Sequence, residues 1–442
     1  MTNKKHLKNN LNRSDKQENA MKKLIHTPEG VRDIFGRECD RKRYLERQIE
    51  KLYHSYGYQS IETPGFEFFD VFAKEVGTTP SRDLYKFFDR DGNTLVLRSD
   101  FTPSVARAVA MYFGEEEMPL RLCYHGSIYR NNHSYHGSLN ESTQMGVEFM
   151  NDDSAEADAE IIALVVSTMR RAGLENFQVS MGHVDYFNAL AEEAGMSEDS
   201  LQELRNLLAA QNRFGAEELI DHLNIRPDLK KALVEMPGLF GSEEVLEQAR
   251  TLTGNRSCRA AVDRLERIYH FLKMYGCENY VTFDFGLVTE YRYYTGIIFQ
   301  AYTYGSGDAL IKGGRYNRLI EHFGKKCAAV GFATEIDSLL NAIERQKISL
   351  PVEDIKTMIL YPAELEEMAI HYAGSRRANG LDVACVRFEY GKVLDDYRRY
   401  GMRNQFGGII YFRSMDEVYA INLSNGSTER IYPFGGNGGQ AQ

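Results

Sequence analysis

Tryptophan is missing from this chain of 442 residues, while tyrosine reaches 27 and phenylalanine 24. Aromatic packing and any ring-walled pocket must therefore be built from Tyr and Phe. No apolar run of 18 residues occurs, which argues against a membrane span. Residues 1 to 20, MTNKKHLKNNLNRSDKQENA, lack the apolar centre of a secretory signal and read as a disordered lead-in. The 6 cysteines (39, 123, 258, 277, 327 and 385) form no CxxC pair, so neither a disulfide framework nor a zinc site is expected. The expected setting is a reducing, cytoplasmic one. Long basic runs are also lacking: Lys+Arg 53 against Asp+Glu 63 gives a net charge of -10, which argues against avid nucleic-acid binding.

Four motifs are absent as well. There is no GxxxxGK[ST] phosphate loop, no GxGxxG after a strand, no GxSxG serine elbow and no HExxH pair. The 11 histidines do not cluster with cysteines at metal-site spacing. No metal and no cofactor is expected.

What is present describes a folded chain. Hydrophobic residues make up 43% and charged residues 26%, and the length exceeds what one core supports, so two or three domains are expected. Apolar spacing predicts a helix over 37–56, a hairpin in KFFDRDGNTLVLR, and a helix over 102–113 with Thr102 as N-cap and Pro103 at its first position. Strands are predicted at 120–130, 141–150 and 176–183, with a helix over 153–173. From 184 to 275 the texture is helical alone, then strands resume over 279–305. VGFATEIDSLL, 330–340, reads as a small-residue turn leading into an apolar helix. Pro351 marks a boundary, and the alternation beyond it predicts a small α/β domain with a hairpin edge. The expected division is a tail over 1–20, a core of 21–183 and 276–345, a helical insertion over 184–275, an α/β domain over 355–431 and a flexible tail over 432–442.

Several residues could carry recognition chemistry. In STQMGVEFM, taken as a strand, Gln144, Gly146 and Glu148 share one face, where the glycine leaves room for a small polar ligand. The same segment also reads as an ordinary sheet facing water. In EYRYYTGIIFQ, alternation puts Tyr294 and Gly296 on one face and Tyr293 on the other, as a pocket wall or as plain packing. Asp100 and Thr102 stand before a helix, where their oxygens cap amides or meet an ammonium group. Arg130 could clamp a carboxylate or phosphate, or form a surface ion pair. KGGRY at 312–316 places two glycines between two cations. These residues by themselves describe a mixed α/β protein with a small-molecule pocket and no named reaction.

Taken in order, TPEGVRDIFG, LRSDFTPSVARAV, YHGSIYR with GSLNESTQMGVE, YRYYTGIIF, and KGGRYNRLIEHFG with AVGFATEIDSLL resemble the class II histidyl-tRNA synthetase family. The likeness is closer to its paralogues, the regulatory subunits of ATP phosphoribosyltransferase. It spans about 24–345, with a weaker similarity over 356–424 to the small synthetase C-terminal domain. It implies an α+β fold: a class II synthetase-like antiparallel sheet flanked by helices, with a helical insertion and a reduced anticodon-binding-like α/β domain.

It also implies a histidine pocket made by Asp100, Thr102, Gln144, Glu148 and Tyr294, with Arg130, Tyr293 and Gly296 as further wall. Glu148 and Tyr294 would meet the ring, and Asp100, Thr102 and Gln144 the amino-acid end. The cations needed for adenylation are depleted. Ser138 and Asn140 stand where arginines are usual, Thr289 lies at or near an expected arginine, and Ser338 replaces the motif 3 arginine. With Glu335 added, triphosphate should be repelled. The resemblance thus implies a non-catalytic subunit that joins a short-form catalytic chain in the first step of histidine biosynthesis and carries feedback by L-histidine. The assembly implied is a dimer within a hetero-octamer. The alternatives are an active histidine ligase and a synthetase-derived regulator that binds RNA or protein.

Overall fold

The computed structural model describes residues 26–72, 79–131, 139–288, 293–352 and 356–432. They fall into two compact units: Leu45–Ser349 with the segment that ends at Asp33, and Ile34–Tyr44 with the chain from Leu350 onward.

Helix α1 (Gly36–Ser55) opens with the charged RECDRKR and buries its later apolar stripe of Leu45, Ile49, Leu52 and Tyr53, together with Glu46. Strands β1 (Gln59–Ser60), β2 (Phe66–Phe68), β3 (Lys86–Phe88) and β4 (Thr94–Leu97) follow. The expected hairpin is β3–β4, and β2 joins it in a small antiparallel sheet. Its turn is closed by Asp89, whose Oδ1 accepts the Asn93 N–H at 2.8 Å. Helix α2 (Phe101–Tyr112) begins two residues before the expected first position, Pro103. Asp100 therefore takes the N-cap position without a side-chain capping bond, and Thr102 lies inside the first turn. Thr102 is free of capping duty because its hydroxyl bonds to Glu148 instead.

Next come β5 (Leu120–Tyr129), β6 (Glu141–Met150), α3 (Ala155–Arg171) and β7 (Phe177–His183). Residues 184 to 275 fold into α4 (Val184–Glu193), α5 (Glu198–Ala209), α6 (Arg213–His222), α7 (Pro227–Glu235), β8 (Phe240–Gly241), α8 (Glu244–Leu252) and α9 (Arg256–Tyr275). The departure from an all-helical stretch is β8, which pairs with the later β9 (Val281–Asp284). The large unit closes with β10 (Ile297–Thr303), β11 (Ile311–Arg315), β12 (Ala329–Glu335) and α10 (Ile336–Arg345).

The large sheet runs β1-β5-β6-β12-β11-β10-β7-β9-β8. Pairing is antiparallel from β5 through β7 and parallel for β1–β5 and β7–β9, so the sheet is mixed rather than purely antiparallel. One glycine-bearing segment is corrected by this order, and a second is placed by it. VGFA is no turn but part of β12, and KGGR is β11 beside it; both are central strands because their neighbours fill the space that Cβ atoms would take. Helix α3 is buried along most of its length, as its near-continuous apolar sequence requires, and packs with α9 and against β7, β10 and β12.

The second unit holds β13 (Thr357–Tyr361), α11 (Glu366–Ala378), β14 (Val383–Arg387), α12 (Leu394–Arg403), β15 (Gly408–Phe412), β16 (Val418–Asn422) and β17 (Thr428–Ile431). Its order is β14-β13-β15-β16-β17, with β13 parallel to both neighbours and an antiparallel edge. Alternation along β13 divides two cores: Ile359 and Tyr361 pack with Ala369 and Tyr372 of α11, Met358 and Leu360 with Tyr397 of α12. Among the described residues no helix is long and apolar enough to cross a membrane. The polar segment 1–20 and the tail from 433 onward lie outside the described residues.

Candidate functional site

One face of the large sheet carries a cavity of about 500 Å³. The register explains which side chains enter it. Glu148 of β6 lies opposite Gly331 of β12, which lies opposite Gly314 of β11. Two glycines in a row clear the sheet surface beside the carboxylate. A Cβ on Gly331 would collide with Glu148 Oε2, and one on Gly314 would sit 2.7 Å from the Tyr294 ring. The small residues thus let an acidic and an aromatic side chain lie flat over neighbouring backbone.

Glu148 is buried, at 1% exposure, which rejects the reading that β6 turns these groups to water. Its Oε1 accepts the Thr102 hydroxyl at 2.8 Å and its Oε2 accepts the Tyr316 hydroxyl. Burial pushes its pKa up to about 8, against the opposing pull of the Tyr316 and Thr102 hydrogen bonds. Gln144 accepts the Phe101 N–H at 3.1 Å. Asp100 Oδ1 is buried without a hydrogen-bond partner among the described residues. Burial raises the Asp100 pKa, and the Arg130 charge and the Gln144 amide oppose the rise. A buried carboxylate with an unused lone pair suits a cationic donor.

The site residues named from the sequence sort as follows. Asp100, Thr102, Gln144, Glu148, Tyr294, Arg130 and Tyr293 all line the cavity. The space over Gly146 is filled by Tyr124, so that glycine accommodates a ring rather than a ligand. Gly296 is not in the cavity wall: a Cβ there would lie 3.1 Å from the Arg315 side chain, so its smallness serves that arginine. Alternation misplaced the tyrosine pair, because β10 starts only at Ile297. Residues 293–296 precede it, and the two rings lie 4.4 Å apart between centroids, both on the cavity.

Arg130 is engaged, with Nη1 2.5 Å from Glu335 Oε1 and Nε 3.3 Å from the Ser99 carbonyl. Asp337, buried at the start of α10, accepts the Thr143 N–H at 2.8 Å. Ser338 lines the cavity in the next position. Asn140 does not reach it; its Nδ2 donates to the Glu29 carbonyl at 3.1 Å and secures the TPEG segment. Ser138 and Thr289 lie outside the described residues.

Tyr316 was missed from the sequence. A tyrosine after a buried arginine reads as core, and the only hint was the glycine pair that clears space before it. Also missed were the loop 305–310, Asn341 and Arg345, which line the same cavity. Arg315, the second cation of KGGRY, points to the opposite face. There it meets Asp158 at 2.7 Å, and Asp158 also meets Arg264 at 2.5 Å.

The histidyl-tRNA synthetase family profile matches residues 30–339. The chain is 37% identical over 407 residues to an ATP phosphoribosyltransferase regulatory subunit of Acetivibrio thermocellus, covering 92% of this chain and 97% of that one. It is 36% identical over 405 residues to the protein of the same name in Ruminiclostridium cellulolyticum, covering 92% and 96%. A solved structure described as an ATP phosphoribosyltransferase regulatory subunit/histidyl-tRNA synthetase from Bacillus halodurans superposes with a TM-score of 0.79 at 33% identity, over 88% of this chain and 98% of that one. A histidyl-tRNA synthetase from a Nostoc species shares the fold at a TM-score of 0.77 and 19% identity, over 92% and 96%.

Proposed function

Since this chain belongs to the family of ATP phosphoribosyltransferase regulatory subunits, built on the class II histidyl-tRNA synthetase fold, we propose that it is the histidine-sensing partner of a short-form catalytic chain. The phosphoribosyl transfer that opens histidine biosynthesis occurs on that partner, in the cytoplasm. This chain is required for the activity and carries feedback by L-histidine, as a dimer within a hetero-octamer.

The observation that carries the histidine reading is the buried Glu148, held by Thr102 and Tyr316 beside the Tyr294 ring. A carboxyl group whose pKa is pushed to about 8 exchanges a proton near neutral pH and complements an imidazole nitrogen in either state. Asp100, with its unpartnered oxygen, receives the ammonium group beside Gln144. Thr102 links the two ends by fixing Glu148.

ATP activation is disfavoured by the same cavity. Its arginine, Arg130, is already neutralised by Glu335, and Asp337 and Ser338 occupy the start of α10 where a further cation would be needed. Histidine bound here acts through coupling to the partner chain, with reciprocal effects on affinity.

The decisive experiment is co-purification with a short-form phosphoribosyltransferase, with its activity assayed with and without this chain and with added histidine. Association, activation and histidine inhibition are expected, with inhibition weakened by Glu148→Ala. Failure to associate or to activate removes the regulatory reading. Robust histidine-dependent exchange between pyrophosphate and ATP would replace it with a ligase.

A further inference from the structure

An amino acid brings three polar ends, and the cavity groups so far assigned meet only its ring and its ammonium. The carboxylate needs a cation. Among the described residues, three cations line the cavity: Arg130, Lys312 and Arg345. Two are engaged. Arg130 holds Glu335 at 2.5 Å, and Arg345 donates to the Gly305 carbonyl at 2.6 Å. Among the described residues Lys312 has no hydrogen-bond or ion-pair partner, Asp308 of the adjoining loop included.

The sheet register fixes where Lys312 stands. It lies opposite Ala333 of β12, which lies opposite Gly146 of β6. That row is flanked by Glu148–Gly331–Gly314 on one side and by Gln144–Glu335 on the other. Lys312 is therefore two strands and one side-chain step from Glu148, about 12 Å between Cα positions at ordinary strand spacings. A lysine and a glutamate so placed reach the two ends of one amino-acid-sized molecule. A carboxylate at Arg130 would instead have to displace Glu335 and stand near Asp337 and Asp100. At Lys312 it displaces nothing.

We propose that Lys312 binds the α-carboxylate of the amino acid, so that the pocket demands a free carboxylate as well as an imidazole. The inference rests on the histidine reading above. It turns KGGRY into a split device: Lys312 serves the ligand, and Arg315 serves the opposite face.

The test uses the full chain in calorimetric titrations with L-histidine and with histidinol, which keeps the ring and the ammonium but has a hydroxymethyl group for the carboxylate. Lys312→Met should weaken histidine about ten- to hundredfold, the equivalent of one charge-assisted contact. It should leave histidinol within about threefold, and Lys312→Arg should recover most of the histidine affinity. Circular dichroism confirms that each variant is folded. Wild-type affinity for histidine in Lys312→Met overturns the assignment while leaving the histidine reading intact. An equal loss for histidinol also overturns it, because the lysine would then not be reading the carboxylate. Absence of histidine binding to the wild-type chain overturns the histidine reading and this inference together.

Discussion

On the helix-covered face of the large sheet, Asp158 lies fully buried between the guanidinium groups of Arg315 and Arg264. Arg315 spends its remaining donors on the Asp152 carbonyl and Asp153, and Arg264 on the carbonyls of Asp153 and Ser154. On the cavity face, Glu148 is as deeply set and Asp100 is half-buried, and neither has a comparable set of cations. Among the described residues, Glu148 has two hydroxyl donors, Asp100 keeps one oxygen unpartnered, and Lys312 has no partner. Buried charge that is fully paired fixes a structure, and buried charge left half-paired is poised for a ligand. Both clusters meet on β11, three residues apart.

If the paired cluster is structural, Asp158→Ala should cost about 3 to 5 kcal/mol, because it leaves two cations facing each other in the interior. Urea unfolding would measure it, and a loss below about 1 kcal/mol would erase the distinction between the faces.

The half-paired cluster should respond to pH instead. In the fold Glu148 keeps its proton up to about pH 8, while its unfolded reference is 4.5. Between those values the native state holds the extra proton, so stability falls as pH rises and then levels above pH 8. Glu148→Gln cannot titrate. It should therefore gain on the wild type from pH 5 to pH 9, by about 4 kcal/mol. Parallel denaturation curves at the two pH values for both proteins would show no such gain if Glu148 were an ordinary surface carboxylate.

The smallest effect is expected where the two behaviours meet. Arg130 and Glu335 form a close pair, but their side chains are 29% and 34% exposed. Glu335→Gln should shift stability by less than about 1 kcal/mol. A larger shift in the same unfolding assay would place this pair with the structural cluster.

How much of this was legible in the chain follows from what each signal depends on. Helix and strand segments were readable because apolar periodicity is local, as in α3 and β6. VGFA was misread as a turn because small residues signal turns locally, and KGGR gave no strand signal for the same reason. Here they lie in central strands, with Glu148 and Tyr294 crossing above two of their glycines. Thr102 was read as a cap because its preference for helix starts is local, whereas its bond to Glu148 joins residues 46 apart in sequence. Tyr316 could not be chosen at all, since its partner Glu148 lies 168 residues away.

By itself the sequence determined the element types, the apolar faces and the chemical inventory of the pocket, because these follow from residue type and near-neighbour spacing. Only the tertiary structure decided which polar groups share one desolvated cavity. Strand register sets that, and register is a property of pairs of strands distant in the chain. Tertiary pairing likewise made KGGR a strand, whose alternation then sent Lys312 and Arg315, three residues apart, to opposite faces.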